Sequence, residues 1–148
     1  IYPCTLDNLK NYSNSIGIEK AVISEINGTL DFYQAPHNAD SSTIQPVKFF
    51  SKVKVTAMTL DHLYEKYNLG VVDLIKCDAE GAEPEVLKSA YSALARTKKV
   101  TFNCGPERKG DTTVNEVVSI LEANDFTTKV IDGYLPKTIV IGINTKFN

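Results

Sequence analysis

Three carboxylates gather around one glycine in the stretch Asp73-Leu-Ile-Lys76-Cys77-Asp78-Ala-Glu80-Gly81-Ala-Glu83-Pro84. Asp78, Glu80 and Glu83 fall within six residues, so at least two of them can face one crevice. A carboxylate so placed can act as a base toward a hydroxyl or orient it. The same residues have a structural use: Asp78 can cap the turn, and Glu80 and Glu83 can bias the start of a helix, whose dipole favours negative charge. Lys76 precedes Asp78 by two and is expected to share its strand face and orient it through a salt bridge. Gly81 is expected at positive φ, aiming the chain into the helix. Ser41 and Ser42 fall in a loop that could cover such a site. Of the two histidines, His62 falls on a helix, and His37, in the same loop as the serines, is the candidate acceptor-side base.

The elements that position these groups can be read from periodicity. An apolar run ending in acid, with a helix directly after it, is how a buried parallel strand delivers side chains to the carboxyl edge of a sheet. Residues 71–78 are therefore expected as that strand, and Pro84 suits the first turn of the helix that follows. Its buried face is expected to hold Val86, Leu87, Ala90, Tyr91 and Leu94. Upstream, Tyr2-Pro3 reads as the end of a strand, Thr5 as the cap of a short helix, and Asn14 to Gly17 as its close. Residues 19–26 and 29–34 flank Asn27-Gly28, a strong hairpin signal. Residues 35–46 read as a surface loop, 52–58 as a strand, and Thr59 as the cap of a helix presenting Leu60, Leu63, Tyr64 and Tyr67. Downstream, 99–104 is a strand, Thr113 and Glu116 form a capping box, and 128–131 and 137–143 are closing strands able to pair antiparallel.

This alternation predicts a single α/β domain over residues 1–148, a Rossmann-like, mostly parallel sheet flanked by helices, with an antiparallel strand pair at the C-terminal end. The 148 residues suffice for one domain, and 43% hydrophobic with 23% charged residues is ordinary for a globular protein. A net charge of −2 gives no electrostatic case for nucleic acid or an anionic membrane. No apolar run approaches the roughly 20 residues that span a bilayer, and no signal peptide is visible. Cys4, Cys77 and Cys104 lack metal-type spacing and read as reduced packing thiols, so no metal and a cytoplasmic location are expected. The chain begins at Ile1, so a preceding segment is expected.

Three patterns, taken in order, resemble the FkbM-type methyltransferases, which use S-adenosylmethionine. The most specific is Thr59-Leu-Asp61-His-Leu63, then Val72 through Asp78-Ala-Glu80-Gly-Ala-Glu83, then Glu85-Val-Leu87-Lys-Ser-Ala90. Ala21-Val-Ile-Ser24, Asn27-Gly28-Thr-Leu-Asp-Phe32 and Ser41-Ser42 are similar to the family's middle segment. Leu121-Glu-Ala-Asn-Asp125-Phe126 is similar to the stretch before its final strands.

The resemblance implies O-methylation of a hydroxyl on a sugar or small natural product, with a small-molecule or glycan as acceptor. It implies Asp78 and Glu80 as catalytic, Tyr2, Pro3, Ala21, Val22 and Asp78 on the cofactor side, and Glu83, His37 and Ser42 on the acceptor side, Glu83 serving equally well as a helix cap only. The chain departs from the family pattern in three places. No glycine-rich loop can be written from its eight scattered glycines, Tyr2-Pro3 stands where Glu-Pro is usual, and Asn103 stands where a glutamate is common. The first strand of the usual methyltransferase sheet is thus expected to be missing. Either a preceding segment supplies it, or the strands ending at Tyr2 and Asp78 pair directly. An unpaired edge would encourage a homodimer. The alternative function is a truncated, non-catalytic binding or assembly module. A different nucleotide-using Rossmann enzyme is disfavoured, because no glycine loop is present to cradle phosphate.

Overall fold

Alternating burial along residues 100–104 identifies the strand around which the larger layer is built. In β5 (Thr97–Cys104), Thr97, Val100, Phe102 and Cys104 are buried. In the computed structural model, which describes residues 2–12, 16–36, 40–133 and 136–147, β5 lies between β4 (Val72–Cys77) and β7 (Thr138–Asn144), and β6 (Phe126–Asp132) closes the far edge. β4 runs parallel to β5, while β7 runs antiparallel to both β5 and β6. A separate sheet holds β1 (Val22–Ile23), β3 (Ser51–Met58) and β2 (Gly28–Gln34) in that order.

The helices pack their apolar stripes on the larger sheet. α3 (Glu83–Lys88), α4 (Tyr91–Leu94) and α5 (Val114–Ala123) contribute Leu87, Leu94, Val117 and Leu121, with Ala90 at the cap of α4, to one cluster with Val100, Phe102, Phe126 and Val140. Each large side chain fully buried there contributes about 1.5–3 kcal/mol. Polar groups inside this layer are paired. Thr97 donates to the Ala93 carbonyl and shares a hydrogen bond with the Tyr64 hydroxyl, and the Asn144 amide bridges the Leu94 and Thr97 carbonyls.

α2 (Leu60–Lys66) starts as expected, with the Thr59 side chain accepting from the His62 N–H, and it buries Leu60 and Tyr64 while leaving Tyr67 exposed. Its Asp61 does a second job: the carboxylate accepts from the Ser92 and Ala93 N–H groups and caps α4. Between α3 and α4 the chain breaks at Ser89, whose hydroxyl donates to the Val86 carbonyl and accepts the Leu60 N–H. The expected single helix is therefore two short ones, and Tyr91 is 80% exposed rather than inward.

Several expectations are corrected. Tyr2 and Pro3 open a helix, α1 (Tyr2–Leu9), instead of ending a strand, so Thr5 lies inside the helix and no direct pairing with β4 arises. The expected close of this helix at Asn14 falls largely outside the described residues. Asn27-Gly28 does not make a hairpin. β3 inserts between β1 and β2, parallel to the first and antiparallel to the second. The Asn27 side chain is spent on the Thr59 N–H, which ties this bend to the start of α2. The sheet is not mostly parallel: of five strand pairings among the described residues, two are parallel. The antiparallel C-terminal pair, β6 with β7, is as expected. Strand β4 is not buried through its length. It lies at a sheet edge with Leu74 55% exposed, and among the described residues it pairs only with β5. The capping box at Thr113 is also absent, because its hydroxyl turns to Glu83 instead. Among the described residues no helix is long and apolar enough to cross a membrane.

Candidate active site

The acidic corner after β4 is shaped by backbone geometry first. Glu80 adopts φ 49° and Gly81 φ 91°, so two successive left-handed residues turn the chain from strand into α3. Gly81 does this freely, whereas Glu80 carries backbone strain that surrounding contacts must hold. Those contacts come from four directions. The fully buried Glu83 accepts the Ala79 and Gly81 N–H groups, each at 3.1 Å, and the Thr113 hydroxyl at 2.9 Å. The Ser42 hydroxyl donates to the Ala79 carbonyl at 3.2 Å. Arg108 donates to the Gly81 carbonyl at 2.8 Å and pairs with Glu85. Lys137 reaches Glu80 at 2.6 Å.

The corner forms one wall of a cleft of about 450 Å³ that opens between the two sheets. Ile75, Lys76 and Cys77 line it from the edge of β4, followed by Asp78, Ala79 and Glu80. Val22 and Ile23 face them from the edge of β1, with Phe32 and Ser41 to Thr43 completing the lining. A mainly apolar hollow with a few convergent polar groups is the usual form of a small-molecule site. Ala21 lies on the wall of an adjoining hollow beneath α1, which Val22 and Thr5 also line.

Asp78 sits at the rim, 35% exposed, within reach of three donors. These are Lys76 at 3.1 Å, Lys137 at 3.1 Å and the Asn103 amide at 3.2 Å. Burial pushes its pKa up, but hydrogen bonds from Lys76, Lys137 and Asn103 outweigh that and hold it below the ordinary aspartate value. Lys137 is likewise opposed by burial, yet its bonds to Glu80 and Asp78 raise its pKa well above the usual lysine value. Glu107 lies 3.6 Å from Lys137, and burial raises its pKa. Its carboxylate folds over Gly105, where a side chain would collide with it. Burial pushes the thiol of Cys77 up to about 12 and that of Cys104 up to about 11, so neither is a nucleophile at neutral pH.

The sequence-predicted residues separate accordingly. Asp78, Glu80, Val22 and the buried Ser42 meet at one cleft. Glu83 stands behind it, committed to the turn. Tyr2 and Pro3 lie in the first turn of α1, and His37 lies outside the described residues. Two members of the site escaped sequence reasoning. Asn103, which stood out only as a departure, is a donor to Asp78. Lys137 lies 59 residues beyond Asp78 in the chain. The register offered a signal for it: Cys104 pairs with Thr138, so the antiparallel return strand must begin at the carboxyl edge of β5, beside the corner.

Neither the curated proteins nor the solved structures contain a match to this chain. Residues 5–129 match the methyltransferase FkbM domain, a span that covers β1 to β5, the acidic corner and the cleft between the sheets. The chain therefore belongs to the FkbM methyltransferase family.

Proposed function

We propose that this protein transfers a methyl group from S-adenosylmethionine to a hydroxyl, on a sugar or small natural product, in the cleft between β1 and β4. The observation that carries this reading is the placement of Asp78 and Glu80 on the wall of that cleft, opposite the apolar edge of β1.

The residues present fit the cofactor's chemistry. Val22, Ile23, Phe32 and Ile75 offer apolar surface to a purine, and two carboxylates stand where a sulfonium could be balanced. When bound, S-adenosylmethionine supplies a methyl already activated by positive sulfur. The protein's contribution is then alignment and proton removal. Asp78, ionised and weakly basic, accepts a hydrogen bond from the acceptor hydroxyl and fixes its direction. A weak base is sufficient, because the oxygen becomes strongly acidic as the new carbon–oxygen bond forms. The proton passes to the carboxylate and then to solvent at the rim. Glu80, held by Lys137, adds negative charge beside it. Glu83 keeps the turn in shape.

Titration calorimetry with S-adenosylmethionine and S-adenosylhomocysteine tests the reading. Binding of both is expected, with Asp78→Asn weakening S-adenosylmethionine by about tenfold and S-adenosylhomocysteine by less, since only the former carries the positive sulfur. Absence of heat with either ligand would defeat the enzymatic reading and favour a binding or assembly module, the reading to which the scattered glycines point.

A further inference from the structure

Lys137 lies beyond the stretch that matches the family, yet it is the most heavily engaged cation of the site. Its ammonium bonds Asp78 at 3.1 Å and Glu80 at 2.6 Å and approaches Glu107 at 3.6 Å. Asp78 and Glu80 line the cleft, and Lys137 is not part of that lining. It therefore holds the two carboxylates without itself lining the cleft. Asp78 has further donors in Lys76 and Asn103, whereas the Glu80 carboxylate has Lys137 as its hydrogen-bond partner among the described residues. Glu80 is also the residue strained into the left-handed region, with φ 49°. An ion pair that only stabilised a surface would not need a strained partner on a cavity wall.

We propose that Lys137 is the built-in counter-ion of this site, clamping Asp78 and Glu80 without lining the cleft and setting how strongly the cleft attracts a positively charged ligand. The proposal rests on the reading that S-adenosylmethionine binds there. Lys137 is a positioning residue, since it acts through the two carboxylates. The charged groups around it are Lys76 on β4, Asp78 and Glu80 at the corner, Glu83 at the start of α3 and Glu107 after β5. With Lys137 neutral, the carboxylates on the wall outweigh the one remaining lysine beside Asp78. A cation in the cleft is then favoured more than a neutral molecule of the same shape.

The two cofactor forms provide that comparison, because the sulfonium differs from the thioether by one methyl and one positive charge. In Lys137→Met the affinity ratio of S-adenosylmethionine to S-adenosylhomocysteine is expected to rise about three- to tenfold by calorimetry, as one unit charge through a partly screened medium requires. Lys137→Arg keeps the charge and should leave the ratio near its original value. A merely structural lysine would weaken both ligands equally in both variants, and an unchanged ratio in Lys137→Met overturns the proposal. A second readout needs no ligand: the Asp78 carboxyl carbon, followed by NMR against pH, should titrate at higher pH in Lys137→Met and not in Lys137→Arg. If the unaltered protein binds neither ligand, the methyltransferase reading falls, while the Asp78 titration still judges the counter-ion. An unmoved midpoint rejects it.

Discussion

Asp78 and Glu83 stand five residues apart on the same turn, and their surroundings assign them opposite work. Glu83 is fully buried, and its donors are two backbone N–H groups and a threonine hydroxyl, groups that cannot leave. Asp78 is at the rim, and its donors are two lysines and an asparagine, side chains that can rearrange around a ligand. Asp61 belongs with Glu83: it too is engaged by backbone N–H groups, those that open α4. Sequence proximity therefore does not make the acidic cluster one functional unit. The type of donor divides it into a frame and a working edge.

The largest effect that can break this division is expected at Glu83. Glu83→Ala strands three donors, two of them buried, and opens a void, and should cost about 3–5 kcal/mol in urea denaturation. A loss below about 1 kcal/mol would show that the carboxylate is not holding the corner. Asp61→Ala, measured the same way, should cost about 1–2 kcal/mol through loss of the α4 cap. Strain at the corner can be read by comparing two variants that both remove the Glu80 side chain. Glu80→Gly should be about 1 kcal/mol more stable than Glu80→Ala, since glycine accepts the left-handed backbone freely. Equal stabilities would mean that the backbone relaxes.

Asp78→Asn should change stability least at neutral pH, by less than about 1 kcal/mol, while removing part of the acid-side slope. The sign follows from its lowered pKa. The contribution of Asp78 is present above the ordinary aspartate value of about 3.9 and is lost as pH falls through the lower native value. An acid transition unchanged by Asp78→Asn would mean that the lysines do not favour its ionised form. Finally, native Cys77 and Cys104 should stay unlabelled by iodoacetamide at about pH 8 under peptide mapping and react once unfolded. Native labelling of either would contradict their burial.

Much of the frame was legible because it is local. Thr59 as a cap, Pro84 in the first turn of α3, positive φ at Gly81 and the antiparallel closing strands each follow from a few neighbouring residues. What failed was long-range. The Asn27-Gly28 pair had the chemistry of a hairpin, but a bond from Thr59 to the Asn27 side chain and the insertion of β3 decided its use. The apolar run of β4 suggested burial on both faces, yet its place at a sheet edge leaves Leu74 exposed. In the site, Asp78 and Glu80 stood out by spacing. Lys137 and Asn103 reach them from distant segments, and only strand register could reveal that approach.

The central claim is that the cleft between β1 and β4, with Asp78 and Glu80 on its wall, is where the cofactor binds. Backbone amide NMR during titration with S-adenosylhomocysteine tests it most directly. Saturable shifts should concentrate at Val22, Ile23 and residues 75–80. Shifts confined to the far side, around Tyr91 to Arg96, or none at all, would contradict it.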